Sequence, residues 1–200
     1  DENQLSGLPA FVKEAAASEA KKAGKEGWIF TLQAPSYGPF MQYADNRSLR
    51  QELFKAFNSR GAKGNKNDNN AIIERVVRLR YDKAQLLGYN TWADYILEER
   101  MANSTAIVMD FLDDVKKYAE PAAEREMKEL TAFAKSQGFT DDRLQRWDFA
   151  YYAEKLKKQR FNINDEILKP YFKLENVLNG LFDVTNRLFG LTFTKNTEIK

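Results

Sequence analysis

Four arginines are the side chains of this sequence best suited to binding chemistry: Arg47, Arg50, Arg60 and Arg80. A guanidinium holds a carboxylate through two parallel N–H bonds, so these arginines could bind a carboxylate ligand. The same side chains could instead form ion pairs within a helical lobe. We favour that structural interpretation.

Three aromatic residues form a second candidate group: Trp147, Tyr151 and Tyr152. A spacing of four places Trp147 and Tyr151 on one face of a helix. Their rings could contact a bound ligand. Aromatic side chains at helical spacing are more typical of a core, with the hydroxyl groups at its rim, and this interpretation is again the favoured one.

Adjacent acidic residues are weaker candidates for a functional site. Asp113–Asp114 and Asp141–Asp142 are pairs in sequence, but adjacent residues of a helix do not face each other, so neither pair predicts two acids acting together. Asp141 is better interpreted as the N-cap of a helix. The segment 65–70 is rich in oxygen ligands but lacks the spacing of a calcium loop.

The sequence contains no histidine and no cysteine. A Ser-His-Asp triad, a thiolate nucleophile and a zinc site of the usual kind are therefore excluded within these 200 residues. We predict no catalytic residue, metal ligand or cofactor in this chain.

The charge pattern disfavours nucleic acid and membrane as partners. The net charge is +2, from 31 basic and 29 acidic residues that are interspersed along the chain rather than grouped in blocks. A nucleic-acid-binding surface more often has a concentrated basic face. No apolar run approaches the roughly 20 residues needed to cross a membrane, so we expect a soluble protein.

Helical periodicity dominates the chain. The predicted helices run from Pro9 to Ala23, from the cap Asp45 or Asn46 past Phe57, from Asn70 to Leu87, from Thr91 to Leu97, from Ser104 or Thr105 to Ser136, from Asp141 to Gln159, and from Asn164 or Asp165 to Gly190. Within them, Pro121 predicts a kink or a break. The third pattern predicts a buried stripe formed by Ile72, Ile73, Val76, Val77, Leu79 and Leu86.

Non-helical segments connect these helices. Two short runs, Trp28–Leu32 and Leu191–Thr194, have the composition of strands. The segment Pro35–Pro39 predicts a turn, and the polar segment Arg60–Asn70 a mobile loop. The predicted fold is mainly α: a multi-helix lobe with one or two short β-strands. The second strand has no predicted pairing partner, so we expect the chain to be the middle segment of a larger protein.

A set of short motifs, in a fixed order over nearly the whole chain, resembles the thimet oligopeptidase and peptidyl-dipeptidase family of zinc metallopeptidases, and most closely its bacterial peptidyl-dipeptidase branch. The motifs are Gly27–Leu32, Pro35–Tyr37, Pro39–Met41, Tyr43–Arg47, Leu49–Arg50, Ala56–Phe57, Ser59–Arg60, Asp68–Asn70, Leu79–Arg80, Lys83–Ala84, Leu86–Tyr89, Met101–Ala102, Trp147–Asp148, Tyr151–Tyr152 and Leu188–Gly190.

The resemblance implies a large, two-lobed helical enzyme with a deep substrate channel. In such enzymes an H-E-x-x-H helix and a downstream glutamate hold zinc. That region follows the part that residues 1–200 resemble, so the resemblance implies a helical segment that precedes the zinc-binding catalytic region, with no separate domain boundary.

The resemblance also implies a function. The chain would be a non-catalytic part of the channel wall in an enzyme that hydrolyses short peptides, with release of C-terminal dipeptides among its activities. Zinc, short peptides and the catalytic half would be its partners, in the cytoplasm or periplasm. The substrate-channel candidates are Arg47, Arg50, Arg80, Trp147, Tyr151 and Tyr152. The alternative is a helical scaffold that binds a protein partner through an apolar groove.

Overall fold

The computed structural model describes residues 2–162 and 168–196. Within them the helices are α1 (Ala10–Lys22), α2 (Ala34–Tyr43), α3 (Arg47–Asn58), α4 (Asn70–Leu86), α5 (Trp92–Leu97), α6 (Thr105–Ser136), α7 (Arg146–Phe161) and α8 (Leu174–Phe189). Short 3-10 turns lie at Glu2–Leu5 and Lys169–Tyr171. The mainly α fold is confirmed. The predicted start of the last helix, Asn164 or Asp165, lies outside the described residues.

The chain divides into two compact units, Asp1–Leu156 and Lys157–Lys200. The first unit contains two apolar clusters. One joins the N-terminal turn to α1 and α2 through the buried residues Leu5, Leu8, Val12, Phe40 and Ala44. The other joins the end of α6 to α7 through Ala134, Phe139, Leu144, Tyr151 and Tyr152. Tyr151 and Tyr152 therefore lie in a core, as the favoured interpretation predicted.

The segment predicted as a strand at Trp28–Leu32 is irregular, and no β-ladder occurs among the described residues. Trp28 and Phe30 pack against the N-terminal apolar cluster, and the Phe30 ring meets the Phe40 ring edge-on at 4.6 Å. The strand prediction was wrong because the aromatic composition serves packing against α2 rather than pairing with another strand.

The second predicted strand, Leu191–Thr194, is also irregular. The Phe193 ring stacks on Phe182 of α8 at 4.8 Å, and the Asn186 side-chain amide donates to the carbonyl of Leu191 at 3.0 Å. Gly190 ends α8 with φ 68°, a conformation that glycine adopts without steric cost. The chain thus folds back onto its own helix instead of forming the predicted strand.

Two prolines, Pro39 and Pro121, lie inside helices. Pro35 lies in the first turn of α2, where a missing N–H costs no intrahelical bond, and α2 continues through Pro39 to bury Phe40 and Met41. The predicted turn at Pro35–Pro39 was therefore wrong. Pro121 lies within α6, which runs unbroken from Thr105 to Ser136. Neither proline ends its helix.

Capping predictions hold at three helix starts. The side chains of Asn46, Thr91 and Ser104 accept the amides of Leu49, Asp94 and Ile107. Asp141 does not begin α7, which starts at Arg146. Its carboxylate instead binds Arg47, 94 residues away in sequence. The cap prediction failed because a local rule cannot anticipate a distant guanidinium.

Helix α4 has the predicted apolar stripe, but the stripe is not buried in this structure. Ile72, Ile73, Val77 and Leu79 are each more than half exposed, whereas Ala84 is the buried residue of α4. Helices α6 and α8 also have exposed apolar faces, at Phe111 and Leu188 among others. The prediction of a buried stripe was wrong for this structure, because periodicity shows which residues share a helix face and not whether anything covers that face. No helix among the described residues has the length and hydropathy to cross a membrane.

The polar loop between α3 and α4 is held by short-range hydrogen bonds. The Asp68 carboxylate accepts the amides of Gly64 and Asn70, and the Asn69 amide donates to the carbonyl of Gly61 at 2.7 Å. Nearly all of its residues are exposed, so little apolar packing supports the loop.

Limited proteolysis tests this loop. We expect trypsin to cut first after Arg60, Lys63 or Lys66, because the loop can open without disturbing either apolar cluster. Mass spectrometry of the earliest fragments measures the site. A first cut after Arg75 or Arg78, inside α4, would contradict the expectation.

Gly7 allows the N-terminal turn to approach the end of α2. Its φ is +82°, and an added Cβ would lie 2.2 Å from the Tyr43 carbonyl oxygen and 2.8 Å from Asp45 Cγ. The Asp45 amide donates to the Ser6 carbonyl at 2.9 Å across the same contact. A side chain at position 7 therefore has no space unless the turn moves away.

Gly7→Ala is expected to lower the free energy of unfolding by about 1–3 kcal/mol more than Gly24→Ala does, because of the added clash. Gly24 is the matched control: its φ is +65°, and nothing lies within 4 Å of an added Cβ. Its substitution carries only the left-handed backbone cost, about 1–2 kcal/mol. Urea unfolding of both variants measures the difference, and equal losses would show that the close approach is unimportant.

Candidate functional site

A buried carboxylate, that of Asp148, connects α3 to α7. Asp148 Oδ1 accepts Arg47 Nε at 2.9 Å and Arg50 Nη2 at 3.1 Å. Asp148 Oδ2 accepts Arg47 Nη2 at 2.8 Å and the Gln145 amide at 3.0 Å. The four donors match the roughly four acceptor positions of a carboxylate, so this buried charge is fully hydrogen-bonded.

Local helix geometry brings these groups together. Asn46 caps α3, and the three-residue spacing of Arg47 and Arg50 directs both guanidinium groups to one side of the helix. Asp148 is the third residue of α7, from which its carboxylate reaches back to the amide of Gln145, just before the helix begins. That contact is half of a capping box.

Arg50 is 1% exposed, and its donors are largely committed. Nη1 donates to the carbonyls of Ala44 at 2.7 Å and Asp45 at 3.2 Å, and Nε donates to that of Trp147 at 3.0 Å. The guanidinium also lies 4.0 Å from the centroid of the Tyr151 ring. A peptide carboxylate could reach Arg50 only by displacing these contacts.

Arg47 is less enclosed. Its side chain is 36% exposed, and its Nη1 donates to Asp141 Oδ2 at 2.6 Å. Hydrogen bonds from Arg47 to Asp148 raise the pKa of the guanidinium further above its ordinary value, so it stays charged. Burial raises the pKa of Asp148, but the hydrogen bonds from Arg47 and Gln145 outweigh it and hold that pKa below its ordinary value.

Beside this network, Asp45 connects the N-terminal turn to α7. Its carboxylate accepts Tyr151 Oη at 2.7 Å and Ser6 Oγ at 2.7 Å, and Lys155 Nζ lies 3.6 Å away. Burial and the hydrogen bond to Asp45 raise the pKa of Tyr151 well above its ordinary value. The phenol therefore remains protonated and acts here as a donor.

The other candidate residues lie outside the Asp148 network or at its edge. The Trp147 ring meets Phe54 edge-on at 5.8 Å and is half-buried. Arg60 lies over the Phe57 ring at 3.8 Å. Arg80, on α4, is exposed and lies 5.6 Å from the centroid of the Trp92 ring. The structure thus brings together Arg47, Arg50, Trp147, Tyr151 and Tyr152, and places Arg80 elsewhere.

Sequence reasoning missed the acceptors of this network, Asp148 and Asp45. A signal for Asp148 was present, since an acid at the third position of a helix commonly accepts the amide before the helix. The pairing with Arg47 crosses 101 residues and leaves no local pattern. Chemically, the cluster fixes the charges of Asp148, Arg47 and Arg50 in place. No group of three metal-binding side chains occurs among the described residues.

Asp148→Asn is expected to lower the free energy of unfolding by about 3–5 kcal/mol, because it leaves Arg50 buried without its counter-charge. Asp141→Asn is the matched control: Asp141 contacts the same Arg47 but is about half exposed, so a loss of up to about 1 kcal/mol is expected. Chemical denaturation measures both variants. Similar small losses would show that the buried network contributes little.

The variant Asp148→Asn also tests how the free energy of unfolding depends on pH. A carboxyl whose pKa is depressed in the folded state stabilises it above the unfolded pKa of about 3.9, and this contribution disappears as the pH falls through the folded pKa. Wild-type stability should therefore fall below about pH 4 more steeply than that of Asp148→Asn. Parallel curves from pH 6 to pH 2 would contradict the assignment.

Comparison with known proteins places this chain in a family. The model of peptidase family M3 matches residues 40–200. Oligopeptidase A of Salmonella typhimurium is 41% identical over 203 residues, which are 100% of this chain and 30% of that protein. The organellar oligopeptidase A of Arabidopsis thaliana is 38% identical over 199 residues, which are 96% of this chain and 25% of that protein.

The dipeptidyl carboxypeptidase of Escherichia coli is 32% identical over 200 residues, which are 98% of this chain and 29% of that protein. Identity is thus higher to these oligopeptidase A relatives than to this dipeptidyl carboxypeptidase. The chain spans less than a third of the length of each. The match over residues 40–200 shows that this chain belongs to peptidase family M3, in agreement with the ordered motifs of its sequence.

Proposed function

We propose that this chain is a non-catalytic helical part of a zinc-dependent oligopeptidase that hydrolyses short peptides, including by release of C-terminal dipeptides, and that it forms part of the substrate-channel wall. The observation that carries the proposal is the family match over residues 40–200 of a chain without histidine or cysteine. The names of the relatives, oligopeptidase A and dipeptidyl carboxypeptidase, support a peptide substrate.

The residues of this chain do not fit the zinc that the family implies. Zinc sites use thiolate, imidazole and carboxylate ligands, and the first two are absent from the sequence. The carboxylate best enclosed, that of Asp148, already accepts four N–H groups. In the proposed enzyme, zinc would therefore be held by polypeptide outside these 200 residues.

Exposed apolar faces support a role as part of a wall. Helices α4 and α6 expose several large apolar side chains, among them Ile73, Val77 and Phe111. Faces of this kind usually mark interaction sites. In the proposed enzyme they would pack against the remaining polypeptide, and the buried network of Asp148 would keep α3 and α7 fixed behind the channel.

Among the six channel candidates, Arg80 is best placed to meet a substrate. Its guanidinium is exposed on α4, and its described contact is with the ring of Trp92. Arg47 and Arg50 are held by Asp148. We therefore assign Arg80 as the arginine that attracts a peptide carboxylate, and Trp147, Tyr151 and Tyr152 as part of the channel wall beside the Asp148 network.

We propose a cytoplasmic or periplasmic location for the protein. One relative from Arabidopsis thaliana is named a probable cytosolic oligopeptidase A, with 36% identity over 199 residues. The catalytic half of the enzyme would be the main partner of this chain.

Peptide hydrolysis tests the proposal. The 200-residue chain is expected to retain no stoichiometric zinc and to cleave no fluorogenic peptide, because it lacks the ligands. The longer protein that contains this sequence is expected to cleave the same peptide and to lose that activity with a chelator. A longer protein without chelator-sensitive hydrolysis would favour the scaffold alternative instead.

The channel role has its own matched pair of variants in the longer protein. Arg80→Ala is expected to raise KM for a peptide with a free C-terminus about tenfold, the effect of losing one charged hydrogen bond. Arg78→Ala is the control, since Arg78 lies on the same helix, points to another face and pairs with Asp82 at 3.1 Å. Equal KM values for both variants would exclude Arg80 from the channel.

A further inference from the structure

Helix α4 has a stripe of exposed apolar side chains that ends in a lysine. At about 100° per residue, positions 72, 76, 79 and 83 fall within about 60° of one another around the helix. The apolar members are Ile72 and Leu79, each more than half exposed, and Val76, which is 38% exposed. We call these three residues the lysine-side stripe, because Lys83 continues it toward the end of α4.

The lysine-side stripe is distinct from the face formed by Ile73 and Val77. Those two residues lie about a third of a turn further around α4. In the proposed enzyme they pack against the remaining polypeptide. One face of α4 is thus assigned to the rest of the protein, and the lysine-side stripe is left for another occupant.

Two cations lie at the C-terminal end of the stripe. Lys83 Nζ is 5.6 Å from the centroid of the Trp92 ring and 5.1 Å from that of Tyr95. The guanidinium of Arg80 is 5.6 Å from the same Trp92 centroid. Both side chains are exposed, and within the described residues neither has an ion pair. The Trp92 ring attracts both cations without neutralising them.

Neighbouring carboxylates have other partners. Asp82, next to Lys83 in sequence, pairs with Arg78 at 3.1 Å. Asp94 of α5 accepts two threonine hydroxyl groups, and Glu98, just after α5, accepts a tyrosine hydroxyl group. The two cations at the end of the stripe therefore keep their charge for a ligand.

The spacing of the stripe matches that of an extended peptide. Leu79 precedes Lys83 by about 6 Å along the helix axis, and Val76 and Ile72 precede it by about 10 and 16 Å. Same-side side chains of an extended peptide repeat at about 6.6 Å. A peptide whose terminal carboxylate lies at Lys83 therefore places one side chain near Leu79 and the next same-side one between Val76 and Ile72.

We propose that Lys83, together with Arg80, binds the C-terminal carboxylate of an extended substrate peptide, and that the lysine-side stripe selects apolar side chains at alternate positions before that carboxylate. Naming the peptide a substrate rests on the proposed function, which assigns only Arg80 to the carboxylate. Charge complementarity identifies this occupant, because a free C-terminus is the anion that ends an otherwise apolar peptide.

A second copy of this chain is a poorer occupant of the stripe. Its own α4 would bring the same apolar residues and the same two cations. Four positive charges would then surround one apolar contact with no carboxylate from the stripe between them, and like charges placed together weaken association. The charge of the site therefore favours an apolar peptide with a free carboxylate.

The probe is the labelled peptide Gly-Leu-Gly-Leu-Gly with a free C-terminus, whose two leucines point to the same side when it is extended. Anisotropy measures its binding to the 200-residue chain. One control peptide ends in an amide, and we expect it to bind about tenfold or more weakly, because two cations lose their counter-charge. The other control, Gly-Gly-Leu-Leu-Gly, directs its leucines to opposite sides and should bind about two- to fivefold more weakly.

Protein variants separate the charge from the apolar contact, and all four of the side chains concerned are exposed, so the fold is preserved. Lys83→Gln should weaken binding of the free-acid peptide about three- to tenfold and leave binding of the amide unchanged, a pattern that a purely structural role would not produce. Arg78→Gln, which removes the same charge from another side of α4, should change neither. Leu79→Ser should weaken both peptides about two- to fivefold, whereas Val77→Ser should weaken neither.

The longer protein that contains this sequence provides the final comparison. After treatment with a chelator to prevent hydrolysis, it should bind the free-acid peptide and again discriminate against the amide. No saturable binding, equal binding of acid and amide, or loss of binding in the longer protein because its own polypeptide covers the stripe would each overturn the proposal. Self-association of the 200-residue chain that Leu79→Ser abolishes would identify a second copy as the occupant instead.

These measurements need no cleavage. A longer protein that hydrolyses no peptide would refute the proposed function, while the binding of a free C-terminus at Lys83 would still be decided by the acid and amide peptides.

Discussion

The first compact unit depends on one buried carboxylate. Asp148 is fully buried, and two arginines and one backbone amide from before α7 surround it. Removing an ion from water is costly, and the cost is met only where every hydrogen-bonding position is occupied. Once Asp148 is in place, α3 and α7 have one relative position, and Tyr151 reaches Asp45 and with it the N-terminal turn.

This arrangement separates a rigid polar interior from unusual apolar surfaces. Asp148 and Arg50 are buried, and every buried polar side-chain atom among the described residues has a hydrogen-bond partner. On α4 and α8, by contrast, large apolar side chains remain exposed. Such faces are consistent with a part of a longer protein, and relatives more than three times as long as the matched region fit that interpretation.

Local patterns in the sequence predicted local features well. Caps at Asn46, Thr91 and Ser104, the end of α8 at Gly190 and the core position of Tyr151 all follow from spacing and residue type. Failures arose where a distant partner decided the outcome. Trp28–Leu32 has strand composition but packs on α2, and Asp141 has cap chemistry but binds Arg47. The apolar stripe of α4 was recognised, whereas its exposure depends on what else is present.

The separation of Arg47 from Asp148 along the chain has a consequence for biosynthesis. The two residues are 101 positions apart, so at about 5–20 residues per second a ribosome needs roughly 5–20 s to make the intervening chain. During that interval the apolar cluster of α1 and α2 can already form, since its five buried residues precede position 50. The guanidinium of Arg50 stays hydrated until Asp148 has been synthesised. Completion of this unit therefore depends on the emergence of α7, and nascent chains that have not yet reached α7 present α3 to chaperones and proteases without its ion pairs to Asp148.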